Sequence, residues 1–315
     1  MKEREIAGRE ITVPASIANL GPGFDTLAVA VRLYLRLRVV DAPSDGKGTL
    51  EFRFLQGPLP GENYIERAFL RWAGASRKDR PSLLLEVDSE IPLQAGLGSS
   101  AAATVAGLKL FEAVYGERAP QELLQSACEL EGHPDNACAA LLGGLTGSCR
   151  HDDGHVSAVR FRWPAELRFV VVTPEVRLKT SEARRVLPVG LGRDDAVYNL
   201  QRVVMLLYGI QSGEYRNLRE AMRDRWHQPY REALVPGLHE ALELEHPDLL
   251  GVCLAGAGPS IVAIAQRNFE EIRELLTRAH RRLGLAFTAR ILSVHENEAV
   301  QDRGRRSAAS ALYER

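Results

Sequence analysis

The residues with the clearest chemical potential lie together in IPLQAGLGSSAAATVAGLKLF, residues 91–111. Gly96 and Gly98 lack a Cβ, so the backbone there can turn tightly and aim N–H groups at one point. Ser99 or Ser100 then stands where a helix cap is expected, and the first N–H groups of a helix have no internal partner. With the positive end of the helix dipole added, the stretch predicts a cradle for an anion, phosphate above all. A slack linker is a poor reading, because periodic apolar positions follow at once: Ala101, Val105, Leu108, Leu110, Phe111 and Val114. Close packing, which small residues at a helix start also permit, remains the plain alternative.

The type of phosphate loop is narrowed by exclusion. No G-x-x-x-x-G-K-[ST] occurs in the chain, so this is not a Walker A loop. GLGSSA fits the loose pattern G-x-G-x-x-A, but DSEIPLQ separates it from the strand before it. A second helix follows, where a dinucleotide fold needs another strand ending in an acid.

The elements that must position this loop are legible from periodicity. Residues 27–40 alternate apolar and polar in their second half and read as a half-buried strand, as do 49–55; 83–88 is a third strand. GPLPG, 57–61, is a loop, and 62–73 reads as a helix. The helix after the glycines stops near Gly116. Pro120 opens another, broken at GHPDN, 132–136. HDDGH, 151–155, is a polar turn, and a domain boundary is expected near 150–165. Residues 167–173 are a buried strand, and helices then dominate to about 246. The order strand, Gly-rich turn, strand, helix, strand follows, fitting helices on an antiparallel sheet, an α+β architecture. The expected units are 1–160, 161–300 and a polar tail, 301–315.

Composition limits the function classes. The 315 residues are 45% hydrophobic and 26% charged, enough to build large cores, with a net charge of −1. That balance argues against a protein held on nucleic acid by phosphate contacts. No apolar run reaches the length of a membrane span, and the charged start MKEREIAGRE reads as no signal peptide. Cys128, Cys138, Cys149 and Cys253 form no C-x-x-C pair and no zinc pattern, which points to reduced thiols and a cytoplasmic setting.

Three blocks, in order, carry a family resemblance: PASIANLGPGFDTLAVA at 14–30, P-x-x-x-G-L-G-S-S-A-A from Pro92 to Ala102, and LAGAGPSIVAIA at 254–265. Together they span 250 residues and resemble the three motifs of the GHMP small-molecule kinases. ANLGPGFD, ELEGHPDN, KTSEARRVLP and HQPYREALVPG are similar to the homoserine kinase branch in particular. Ala255 and Ser260 stand where serine and threonine are common. The resemblance implies a two-domain fold: an N-terminal αβ domain like ribosomal S5 domain 2, and a C-terminal ferredoxin-like α+β sandwich. It implies transfer of the γ-phosphate of MgATP to L-homoserine, on the path to threonine. Another small alcohol, or a silent ligand-sensing member, is the alternative. It leaves a homodimer open.

The same resemblance assigns the residues. Pro92, Leu93, Gln94, Ala95, Gly96, Leu97, Gly98, Ser99, Ser100, Ala101 and Ala102 would hold ATP, with Asn63 a candidate for the adenine end. Ser100 and Glu131 would hold Mg²⁺, an ion that takes oxygen ligands and few carboxylates. Glu129 is expected to face elsewhere. Asn19 and Asp25 would hold the amino and hydroxyl end of homoserine, with His133, Asp135 and Asn136 near. Arg184 and Arg231 would clamp its carboxylate, a task suited to the planar, always charged guanidinium. Thr180 would add a hydroxyl, and Gly256 and Gly258 would let the backbone approach the pocket. Asp25, Asp135 and Asn136 are the candidates at the reacting end, with no obligatory base among them.

Overall fold

The computed structural model describes residues 6–74 and 80–297. The expected tail, 301–315, and the first residues of the charged start lie outside that range. Two sheets organise the chain. The first joins β1 (Glu10–Asn19), β2 (Gly23–Asp41), β3 (Leu50–Phe54), β4 (Leu83–Ser89), β5 (Leu145–Arg150) and β6 (Val156–Phe161). Its path is β3-β4-β2-β5-β6, with β1 paired to β2 antiparallel. The second sheet holds β7 (Arg168–Pro174), β8 (Leu249–Leu254), β9 (Ile261–Ala265) and β10 (Phe287–Leu292) in the order β10-β7-β9-β8. All its pairings are antiparallel, as in a ferredoxin-like sandwich.

β1, β5 and β6 extend the sequence reading. β1 runs into the block PASIANL, where unbroken burial hides the two-residue alternation. Its register slips between Pro14 and Ala15, where proline supplies no ladder N–H. Helix α1 (Tyr64–Ala73) joins β3 to the parallel strand β4. Helices α2 (Ser99–Tyr115), α3 (Pro120–Glu131) and α4 (Asp135–Leu142) cover the first sheet. After β7 come α5 (Thr180–Arg185), α6 (Arg193–Ser212), α7 (Leu218–Ala221), α8 (Gln228–Arg231) and α9 (Leu238–Leu242). α10 (Phe269–Arg282) lies between β9 and β10.

The second sheet is buried on both faces, which explains its continuous apolar strands. Phe169, Val171, Val262 and Ile264 join the large core beneath α2, α6 and α7. Val170, Val172, Ile261 and Ala263 pack into a second core with α9 and α10. One core therefore runs from the first sheet into the second. α2 is apolar nearly all round, and its small residues bring it close to its neighbours. A Cβ on Gly107 would meet Ile65 O of α1 at 2.2 Å.

The cysteines give a direct check on this packing. Cys128, Cys138 and Cys253 are buried, and Cys149 is exposed. Burial pushes the Cys253 thiol up to about 12, and a hydrogen bond with Cys128, aided by burial, raises Cys138. Only thiolates react readily. A thiol-specific chromogenic disulfide should titrate one fast group in the native protein, and the buried three only in denaturant. Cys149→Ser should remove the fast phase. A second fast thiol in the native state would contradict the packing.

Candidate active site

The glycine-rich loop leads from β4 into α2, and three other segments hold it. Ser16 N of β1 donates to Leu97 O (3.1 Å), Ser260 N beside β9 donates to Ala95 O (3.2 Å), and Leu178 N before α5 donates to Gln94 O (3.4 Å). Among the described residues the amides of Ala95, Gly96, Leu97 and Gly98 donate to no protein acceptor. The carbonyls are thus turned outward and held, and the amides are left for something else. Such a set of free N–H groups at a helix start is an anion site. Gly96 and Gly98 have φ of 78° and 71°, and neither has room for a side chain. A Cβ on Gly96 would lie 2.2 Å from Ala255 O.

The expected serine cap is corrected here. Gly98, in the left-handed region, is the N-cap of α2, and no side chain caps it. Ser99 and Ser100 sit in the first turn instead. Ser100 Oγ donates to Glu131 Oε2 (2.7 Å), and Thr104 Oγ1 donates to Glu131 Oε1 (2.7 Å). Glu131 reaches this position because α3 ends there, with Gly132 turning the chain away. Glu129 faces Arg71, away from the site, as its offset of two residues requires. Thr104 was not singled out from sequence, though it stands one helical turn beyond Ser100.

The free amides open on a cavity of about 780 Å³, within the usual range for small-molecule sites. Pro92, Leu93, Gln94, Ala95, Gly96, Gly98, Ser99 and Ser100 line it. Leu97, Ala101 and Ala102 do not; their side chains are in the core behind it, so any contact they make is through backbone. Glu131 stands behind Ser100 rather than on the wall. Gly258 also lies off the wall: its missing Cβ accommodates Leu254 and Val235, while Gly256 does line the cavity. Asn63 lines the apolar end, beside the GPLPG loop, but its Oδ1 is engaged in capping α1 through the amides of Ile65 and Glu66.

The other end is charged. Asp25, His133, Asp135, Asn136, Thr180, Arg184 and Arg231 meet there. Arg184, from α5, holds Asp25 through two hydrogen bonds (2.9 and 2.6 Å). Burial works against the Arg184 charge, and the Asp25 carboxylate more than restores it. His133 lies 2.6 Å from Asp135 Oδ1; burial opposes its proton, but Asp135 holds its pKa above the ordinary value. Asn136 Oδ1 accepts from Ser16 Oγ (2.7 Å), locking the start of α4 to β1. Asn19 spends part of its amide on the protein: Nδ2 donates to Gly256 O (2.9 Å) and Oδ1 accepts from Asp25 N (3.1 Å). It retains one N–H and one lone pair.

Arg231 is 1% exposed and has no carboxylate within ion-pair reach among the described residues. Burial, aided by the Arg184 charge, pushes its pKa down to about 10. Phe24, missed in the sequence, is shared by the two arginines, each guanidinium carbon lying 5.4 Å from its ring centroid. Asp25, His133 and Asp135 can bring ligand atoms within 4.8 Å of one another. The Arg184 guanidinium already occupies the Asp25 side of that cluster, which suits a polar substrate end better than a cation.

Comparison with known proteins bears on the chain as a whole. Residues 63–144 match the N-terminal domain of the GHMP kinases, and 206–282 match their C-terminal domain. The homoserine kinase of Solibacter usitatus is 41% identical over 286 residues, covering 88% of this chain and 91% of its own. That of Moorella thermoacetica is 37% identical over 300 residues, covering 92% and 98%. The crystal structure of homoserine kinase from Cytophaga hutchinsonii superposes with a TM-score of 0.78 at 25% identity, covering 91% of this chain and 95% of that one.

The loop geometry can be tested without a ligand. A Cβ on Gly98 would fall 2.2 Å from Ser16 Oγ and 3.0 Å from Asn136 Oδ1. Gly98→Ala should therefore break the Ser16–Asn136 bond and lower stability by about 1–3 kcal/mol, the usual cost of overpacking. Thermal unfolding should show a midpoint several degrees below wild type. An unchanged or raised midpoint would mean that the loop is not packed this tightly.

Proposed function

Because the chain belongs to the GHMP kinase family, and within it to the homoserine kinases, we propose that it transfers the γ-phosphate of MgATP to the side-chain hydroxyl of L-homoserine, giving O-phospho-L-homoserine for threonine synthesis. The observation that carries the substrate assignment is Arg231: a buried guanidinium on the cavity wall, held only by neutral acceptors. A buried charge without a close partner is costly, and an anionic ligand group offsets that cost. Homoserine has a carboxylate for Arg231 and Arg184, and an ammonium for Asp25.

The free amides from Ala95 to Gly98 and the start of α2 receive the ATP phosphates. The GPLPG loop, Asn63 and Leu93 take the adenine end. Ser100 and Glu131 offer hard oxygen donors with a single carboxylate, a set suited to magnesium beside phosphate. Bound there, Mg²⁺ would neutralise charge on the phosphates. The hydroxyl oxygen of homoserine attacks the γ-phosphorus, the bond to the β,γ-bridging oxygen breaks with its electron pair leaving on ADP, and the hydroxyl proton is released to solvent. The chain's part is chiefly to align the two ends, which suffices for a loose phosphoryl-transfer transition state. Asp25 and Asp135 orient the amino acid through the Arg184 and His133 contacts, and neither is an obligatory base. No helix among the described residues is long and apolar enough to cross a membrane, and a reducing cytoplasm suits the free thiols.

A coupled ADP-release assay tests the reading. Arg231→Ala and Arg184→Ala should each raise the KM for homoserine at least tenfold, from the loss of roughly 1.5–3 kcal/mol, with the KM for ATP nearly unchanged. Lysine at either position should rescue only in part. The analogue 3-aminopropan-1-ol lacks the carboxylate and should be a poor substrate, indifferent to Arg231→Ala. If wild type uses that amino alcohol as well as homoserine, the clamp and the substrate assignment fail together.

The phosphate end gives a separate test. Ser100→Ala should lower kcat at saturating Mg²⁺ with the fold intact, and Glu131→Gln should lower it further. Wild-type kcat in both variants would remove these residues from the metal site.

A further inference from the structure

Arg231 is among the largest fully buried side chains of the described residues, and its orientation is fixed by three hydrogen bonds. Nε donates to Ala183 O (3.0 Å), and Nη1 donates to Gly256 O (3.0 Å) and to His227 Nδ1 (3.1 Å). His227 is itself wholly buried. Its Nε2 lies 2.8 Å from Gly21 O, in the loop between β1 and β2. A carbonyl only accepts, so Nε2 carries the hydrogen. A guanidinium only donates, so Nδ1 carries the lone pair. The neighbours thus leave one form of the ring, neutral with Nε2–H. Burial, foremost, holds the His227 pKa below its ordinary value and favours that form.

The ring is also fixed from behind. Asp224 accepts the amides of Trp226 (2.8 Å), His227 (2.9 Å) and Gln228 (2.7 Å). Asn199 Nδ2, on α6, reaches the same carboxylate (2.6 Å) and also Pro22 O (3.2 Å). On the cavity side Phe24 stacks on the imidazole, with centroids 5.3 Å apart. His227 and Arg231 are four residues apart across α8, so both face the Asn19–Asp25 loop.

We propose that His227 is a positioning residue for Arg231: one imidazole ties the guanidinium to the Gly21 carbonyl, and so sets the spacing between the carboxylate clamp and Asp25. This rests on the reading of Arg231 as the clamp for the substrate carboxylate. An α-amino acid alcohol presents two charges at a fixed separation, and the His227 bridge holds the matching charges at theirs. An amino alcohol without the carboxylate needs only one of them.

His227→Phe keeps a ring against Phe24 and removes both hydrogen bonds. It should raise the KM for homoserine about tenfold, in the range of a lost charge-assisted contact, with kcat and the KM for ATP within about twofold. Its use of 3-aminopropan-1-ol should match wild type. His227→Gln, whose amide offers both a donor and an acceptor, should recover part of the affinity. A homoserine KM at the wild-type value in His227→Phe, while Arg231→Ala raises it, overturns the positioning role and leaves the clamp standing. An unchanged KM in Arg231→Ala overturns both. Should His227→Phe not fold, His227→Gln against the shorter His227→Asn decides the matter: a lower homoserine KM for glutamine supports the bridge, and equal values overturn it.

Discussion

The interaction on which the rest depends is the capture of the glycine-loop carbonyls by backbone amides from elsewhere. A tight turn can point its amides inward only if its carbonyls point outward and find partners, because unpaired buried carbonyls are costly. Ser16 N, from the first sheet, and Ser260 N, from the second, supply two of those partners. The anion cradle is therefore not a local property of GLGSS. It exists only when both sheets are in place, and the third Gly-rich block serves it by lying backbone against backbone on Gly96. The continuous core beneath α2 and β7 follows from the same demand.

Charge placement follows a different logic at the two ends of the cavity. The glycine-loop end uses neutral dipoles and leaves its amides free. The other end is preloaded with full charges, and it keeps them tolerable unequally. Asp25 and Arg184 hold each other, at partial exposure. Arg231 has no such partner and relies on carbonyls, an imidazole and an aromatic face. The paired groups can exchange partners when a zwitterion enters, at modest desolvation cost. On the proposed reading, the unpaired arginine gains the most from an incoming carboxylate, so discrimination concentrates there.

Much of the fold was legible in the sequence because its elements obey simple periods. The strands at 27–40 and 83–88 and the helices after Gly98 and from Pro120 lie close to their expected places. β1 was not, since residues 13–19 are buried without a break and leave no alternation to read. In the site, glycine and motif residues were visible because few other types fit their backbone or chemistry. Thr104, Phe24, His227 and Asn199 were not, because each acts through a partner remote in sequence. A threonine in a helix, or a histidine in WHQPYR, carries no mark of Glu131 or Gly21 until the chain is folded. Gly258 shows the reverse error: a glycine in a motif invites a role at the ligand, while its missing Cβ makes room for Leu254 and Val235.

Close packing and an anion cradle, the two readings of the small residues, are not alternatives. A helix start attracts phosphate through a few oriented N–H groups, and that attraction falls off within a turn. It is useful only if the helix cannot shift when charge arrives. Gly107 lets α2 close on the backbone of α1, and Ala101, Ala102 and Ala106 bury it in the core without rotamers to order. Bulkier residues would hold the helix farther from its supports and leave the first turn able to move. Close packing is thus the means by which the cradle is made rigid, and the glycine, serine and alanine content of residues 95–107 answers both demands at once.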